Sequence, residues 1–274
     1  MLNTPVTPTQ ITRGQRLWLY LWVGLVLVFL VVPCLLVVPM SFSAGEYLEF
    51  PPRTLSLRWY EAFLGSPEWL RATLVSFKVA VPTMIIATVL GTAAAWGLHR
   101  RTGIFATVTR GLFILPMLVP LILVAVGTFF VFSRLGLNGT ILGLILAHTM
   151  LALPFVLIAV GNGLSSFDMD LHKVARSLGA SEFMAFVTVT LPQIKISVLS
   201  GAIFAFVTSF DEVVVALFVS SGPNETLTRR MFANIRDQVD PTVAAISSLL
   251  VGMVVVGMVI YVAFQRPGNR EKRS

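Results

Sequence analysis

Apolar residues in this chain come in long uncharged runs rather than in the alternating or striped patterns of soluble folds. The first, Leu17–Met40, contains no charged residue, and five more follow at about Ala72–Leu98, Leu112–Ser133, Gly139–Gly163, Ile196–Ser221 and Thr242–Phe264. A helix needs roughly 20 apolar residues to cross a bilayer, so each run predicts one crossing. The pattern predicts an all-α integral membrane bundle of about six transmembrane helices. The expected organisation is a tail over residues 1–16, a transmembrane domain over 17–264 and a basic tail over 265–274. The first run is too long for a signal-peptide core and no small-residue cleavage site closes it, so a retained anchor is expected. Lys78 lies near one end of its run, where its stem can reach the interface. Pro82, Pro116, Pro120 and Pro154 lie in or beside the runs, which membrane helices tolerate when neighbours satisfy the freed carbonyls. Gly139 and Gly143 read as a small-residue pair for helix packing.

Composition reinforces the pattern. Hydrophobic residues make up 56% of 274 and charged residues 12%, against about 25% charged in soluble domains. Mean hydropathy is +0.85. The net charge of +7 is spread over several loops without an aromatic stripe, which argues against a nucleic-acid partner and for membrane orientation. With the N-terminus inside, the inner segments hold Arg13, Arg16, the Arg100–Arg101 pair, Arg110, Lys173, Arg176, Lys195 and the tail cluster of Arg266, Arg270, Lys272 and Arg273. The outer loops hold fewer basic residues, so both termini are expected to be cytoplasmic in a multi-pass bacterial inner-membrane protein. Cys34 is the only cysteine, which excludes an internal disulfide or a cysteine metal cluster. His99 and His172 are expected in loops and His148 as a packed helix residue, with no metal site among them.

The connections are unequal. Two outer stretches, about 41–71 and 222–241, are long enough to offer a docking surface. The inner stretch at about 165–195 exceeds what a helix-to-helix connection needs. Its Leu171, Val174, Ala175, Leu178, Phe183, Phe186, Val187 and Leu191 recur at helical spacing. Gly179 can take the left-handed conformation that ends a helix, and Ser181 can begin the next. A helix–turn–helix is predicted, with an apolar side that needs a partner in this bundle or in another protein.

That stretch also carries a resemblance. Lys173-Val174-Ala175-Arg176-Ser177-Leu178-Gly179, followed in register by Val189-Thr190-Leu191-Pro192, resembles the signature loop of binding-protein-dependent ABC importer permeases. The family pattern is Glu-Ala-Ala, three residues, Gly, nine residues, Ile, one residue, Leu-Pro. Lys173 and Val174 depart from it. Ser209-Phe210-Asp211-Glu212-Val213-Val214-Val215-Ala216, with Thr226–Phe232 beyond it, resembles the second permease of the polyamine (spermidine/putrescine) branch. The resemblance implies that the loop is a coupling helix docked on a cytoplasmic ATPase, through Lys173, Val174, Ala175, Ser177, Leu178 and Gly179. It further implies a second, different permease subunit, two ATPase subunits and an extracytoplasmic binding protein. Lysine in place of the family glutamate implies that the charge pairing there is lost or remade with an acidic group. The sequence contains no Gly-Lys pair and hence no phosphate-cradling lysine loop, so this chain is expected to bind no cofactor, with ATP and Mg on the partner ATPase.

Asp211 and Glu212 are the other chemical signal, set between apolar stretches inside the fifth run. A charge there costs at least about 2.5 kcal/mol on insertion scales. Read on a continuous helix, the two lie about 100° apart, so one can line a pathway while the other meets a neighbour. The functional reading is a cation-preferring pathway, with Phe206 and Phe210 near enough to offer aromatic faces. The structural alternative is a carboxylate that caps a broken helix or pairs with a partner subunit. Two rival functions remain. One is a stand-alone ion-coupled secondary transporter using Asp211 and Glu212, against which no repeated hydropathy pattern is evident. The other is an intramembrane enzyme, for which no nucleophile or metal motif is present.

Overall fold

The computed structural model describes residues 13–237 and 240–265. Residues 1–12 and the basic tail from 266 onward, with Arg266, Arg270, Lys272 and Arg273, lie outside the described residues. The elements are α1 (Arg13–Ser41), α2 (Arg58–Gly65), α3 (Pro67–His99), α4 (Ile104–Leu118), α5 (Leu121–Leu135), α6 (Ile141–Ser165), α7 (Met169–Ser177), α8 (Glu182–Ala185), α9 (Leu191–Gln193), α10 (Lys195–Phe210), α11 (Val214–Val219), α12 (Leu227–Asp237) and α13 (Thr242–Gln265). One π turn, Phe186–Thr190, joins α8 to α9. Among the described residues the only β feature is an isolated bridge between Ser43 and Leu55. The protein is a helical membrane bundle.

Helices α1, α3 and α6 are each long and apolar enough to cross a bilayer, and α13 adds 24 apolar-rich residues. The other two runs depart from the straight crossings that periodicity predicts. Leu112–Ser133 is not one helix: α4 and α5 meet at 101°. The cause is local. Pro120 offers no N–H, and a residue before proline is driven out of the helical region. Val119 accordingly sits at φ −80°, ψ 137°. Ile196–Ser221 is also interrupted, because α10 ends at Phe210 and α11 starts at Val214. Asp211 and Glu212 therefore occupy a break and not the middle of a continuous helix.

The chain divides into two compact units. In one, which holds the described residues up to Ser66 and those from Asn234 on, the Tyr60 hydroxyl lies 2.6 Å from both Ser41 Oγ and Ser248 Oγ, tying α2 to α1 and α13. In the other, Pro67–Ala233, α3, α6 and α10 form the core. Val156 on α6 is fully buried, and a Cβ on Gly91 of α3 would come within 2.7 Å of its side chain. Glycine at that position allows two backbones to approach where any side chain would hold them apart. Gly139 and Gly143 act differently from the helix-packing pair expected. Gly139 has φ +75° and donates its N–H to Val219 O at 2.7 Å. A Cβ on Gly143 would run into the Leu137 carbonyl. Both serve the turn that enters α6, where Thr140 caps the helix by accepting from Gly143 N at 2.9 Å.

Candidate functional site

The α10–α11 break is built by a carboxylate. A helix start leaves N–H groups without intrahelical acceptors, and in hydrocarbon no water replaces them. Glu212 Oε1 accepts from Val215 N at 2.8 Å and Glu212 Oε2 from Ala216 N at 2.9 Å. The negative group also complements the helix N-terminus. On the other side of the break, Thr228 Oγ1 donates to Phe210 O at 3.3 Å and Glu212 O at 3.2 Å. The far end of α11 is tied through the Gly139–Val219 bond, and Asn224 Nδ2 donates to Gly139 O at 2.7 Å.

Glu212 and Asp211 thus part company. Glu212 is buried at 6% exposure, with His148 Nε2 at 3.7 Å from Oε2, beyond hydrogen-bond reach. The other ring nitrogen, His148 Nδ1, is 2.9 Å from Ser209 Oγ. Asp211 is exposed and lines a 570 Å³ cleft with Glu212, Thr208, Val207, Phe155 and Met117. Pro116 and Val119 border the same cleft, so both helix breaks open onto one space. Its lining includes two carboxylates and no lysine or arginine. Phe206 and Phe210 are not part of it. They stack at 5.6 Å and meet Phe77 of α3 at 6.2 and 5.3 Å, while α10 turns Val207, Thr208 and Asp211 toward the cleft. The four residues singled out in sequence are therefore divided among an open carboxylate, a buried cap and an aromatic cluster.

The 165–195 stretch forms the second site. Asp168 caps α7 by accepting from Asp170 N at 2.9 Å. The helix ends on Gly179 at φ +95°, with Ala180 N donating to Ala175 O and Gly179 N to Arg176 O. That pairing is a Schellman motif, which requires the left-handed residue. Ser181 then caps α8 by accepting from Met184 N. Leu178 is 83% and Phe183 76% exposed, and Val174 and Met184 are exposed beside them, so the apolar side of the pair has no cover among the described residues. Lys173 is also exposed and lies 2.8 Å from Asp170 Oδ1. The hydrogen bond and charge of Lys173 lower the Asp170 pKa, and those of Asp170 raise that of Lys173. The position where the family has glutamate therefore finds its acidic partner three residues away in the same helix.

Sequence reading missed His172. It lies on α7 and not in a loop, and it is 3% exposed. Nδ1 is 2.9 Å from Thr190 Oγ1, and Nε2 is 3.1 Å from Glu182 Oε1. Its ring centroid is 4.9 Å from that of Trp96 on α3. Glu182 also pairs with Arg100 and, at 3.4 Å, with Arg176. One cluster thereby fixes the helix pair to the end of α3. The available signal was a helical face of α7 that carries His172 among residues otherwise apolar or charged.

A helical membrane bundle with a carboxylate-built break and a helix pair left uncovered among the described residues suits a transport permease. Its sequence places it more narrowly. Residues 87–267 match the family described as binding-protein-dependent transport system inner membrane component, and the chain belongs to that family; it is a permease subunit of an ABC importer, embedded in the inner membrane through several crossings. The spermidine/putrescine transport system permease protein PotC of Haemophilus influenzae is 28% identical over 88% of this chain and 93% of its own length. The putrescine transport system permease protein PotI of Escherichia coli is 28% identical, with 89% of each chain covered. The molybdenum transport system permease protein ModB of Mycobacterium bovis is 28% identical over 77% of this chain and 85% of its own. The fold is similar to a chain of a bacterial ABC transporter that imports the acidic polysaccharide alginate, at TM-score 0.72 and 14% identity, covering 96% of this chain and all of that one.

Proposed function

We propose that this chain forms half of the translocation pathway for a polyamine, spermidine or putrescine, or a related small cation. The carrying observation is the cleft at the two helix breaks, where Asp211 is exposed and no basic residue lines the wall. A carboxylate in such a place favours ammonium groups by charge, and a site for molybdenum oxyanions would need the opposite sign. The polyamine names of PotC and PotI support the same choice. The second half of the pathway belongs to a different permease subunit. Two ATPase subunits, which carry the ATP and Mg, dock on the exposed face of α7 and α8 through Lys173, Val174, Ala175, Ser177, Leu178 and Gly179. A binding protein delivers substrate at the opposite end. Both termini, the Gly103 turn and the Gly179 turn then lie in the cytoplasm, on the basic-residue distribution.

In the assembled importer, Asp211→Asn should reduce spermidine or putrescine uptake per complex at least about five-fold, corresponding to the loss of about 1 kcal/mol of charge interaction, without altering complex abundance. Unchanged polyamine uptake, or molybdate uptake in its place, refutes the cation pathway. Orientation is read separately with single cysteines at Gly103 and Asn224 in a Cys34→Ser background. An impermeant thiol reagent on intact cells should label the Asn224 position alone, and the reverse pattern inverts the topology.

A further inference from the structure

We propose that a cavity between the ends of α3, α4 and α6 is a binding site for the headgroup of an anionic phospholipid. The cavity measures 170 Å³ and has polar groups at His99, Arg110, Asn162 and Ser165 beside apolar walls that include Ile114 and Leu157. None of its lining residues is acidic. The Arg110 side chain makes no hydrogen bond or ion pair among the described residues, and neither does the side chain of Arg101 in the adjoining turn, whose backbone N–H donates to Leu98 O. Nearby Arg100, by contrast, is taken up by Glu182 and by the Trp96 ring. An unneutralised guanidinium over an apolar-walled hollow calls for an anion, and a guanidinium fork matches phosphate oxygens.

The position selects the kind of anion. His99 and Ser165 are the last residues of α3 and α6, so the cavity opens where two crossings leave the bilayer. Arg110 lies about 9 Å along α4 from its first residue, at 1.5 Å per residue, the depth at which a long basic side chain reaches back to the interface. On the cavity side, Ile158 of α6 is exposed at the rim, and Leu118 of α4, about two turns deeper than Arg110, is exposed as well, an apolar track for acyl chains. At about 30 Å³ per water-sized group the cavity holds a phosphate and little more, with the rest of the lipid outside. Basic pockets between membrane helices bind anionic headgroups in this way. A soluble phosphate would use the same arginine but not the track.

The assembled importer in nanodiscs tests the assignment. Phosphatidylglycerol should remain bound through delipidation in preference to phosphatidylcholine, as read by mass spectrometry of the intact complex. Arg110→Gln should lower retention about five-fold, the usual effect of one basic residue, and Arg110→Lys should keep most of it. Gly161 lines the same cavity, and a Cβ there would meet nothing within 4 Å. Gly161→Leu therefore projects into the hollow from a position with room for its Cβ and should abolish the preference while the complex stays assembled. Equal retention in Arg110→Gln and wild type, or an undiminished preference in Gly161→Leu, overturns the proposal. Displacement of phosphatidylglycerol by millimolar inorganic phosphate also overturns it, since that result assigns the cavity to a soluble anion.

Discussion

Two crossings in this bundle are interrupted, and the interruptions are made by opposite means. Between α4 and α5 the agent is proline: Pro120 supplies no donor, and Val119 before it is extended. Nothing distant is needed, since Leu123 N and Val124 N simply turn back to Pro120 O. Between α10 and α11 there is neither proline nor glycine. Glu212 must reach forward to two N–H groups, and Thr228 must come from another helix to meet two carbonyls. The first break is written into the covalent chain, whereas the second exists only once the surrounding structure has formed. Both open onto the same cleft, and the one that depends on tertiary contacts is the one that presents Asp211.

The largest effect that tests this contrast comes from Glu212→Ala. It strands two buried N–H groups at about 1–3 kcal/mol each, so a loss of about 3 kcal/mol and a sharp fall in assembled complex are expected. Pro120→Ala, by comparison, should cost less than about 1 kcal/mol. Thermal inactivation of the two purified complexes decides, and equal losses would erase the distinction. A smaller effect is expected at Gly179, where the helix end again rests on one residue's own backbone. Gly179→Val forces a β-branched residue into left-handed space at about 1–2 kcal/mol, and substrate-stimulated ATP hydrolysis should fall while the complex remains in the membrane. Normal stimulation would show that the turn does not carry the coupling to the ATPase.

The smallest effect belongs to an exposed carboxylate, Asp170, in contrast to the buried Glu212. The folded-state pKa of Asp170 is lowered, so its contribution is present above the ordinary aspartate value of about 3.9 and disappears as pH falls through the folded value. That of Lys173 is raised, so its contribution is complete below about 10.4 and disappears as pH rises through the folded value. Lys173→Met should therefore lower the melting temperature slightly and equally at pH 6 and pH 8, both roughly mid-window, and not at all below the Asp170 titration. A pH-dependent difference within that window would mean that Lys173 has another titrating partner.

How far these features were legible follows from the same contrast. The long helices are readable because the bilayer demands some twenty apolar residues in a row, whatever they pack against. The Gly179 turn is readable because a single residue type carries the conformation. Pro116 and Pro120 were visible, but membrane helices absorb prolines often enough that a bend of 101° could not be inferred from their presence. Asp211 and Glu212 were visible as chemistry, and a cap on a broken helix was among the readings, but which carboxylate takes which duty was not. That assignment rests on a break that Thr228 completes from another helix, a contact made only in the folded chain. His172 was missed for a like reason, since its partners Trp96, Glu182 and Thr190 come from different elements.

The single π turn at Phe186–Thr190 has a consequence for how the helix pair is aimed. An α-helix advances about 100° per residue, and a π turn, bonded i to i+5, takes up one extra residue and shifts the hydrogen-bond register by one without breaking the helix. Thr190, inside that turn, is the residue held by His172 Nδ1. Phe183 and Met184 precede the shift, while Leu191 and the 80° bend into α10 come after it. Deleting one residue from 186–190 would therefore restore an ordinary α-helix and leave the outward face close to its present aim, whereas deleting one from 191–193 would swing it by about 100° relative to α10. The direction in which the protein offers that face is thus buffered against a change of residue count at the π turn and exposed to one in the short helix after it.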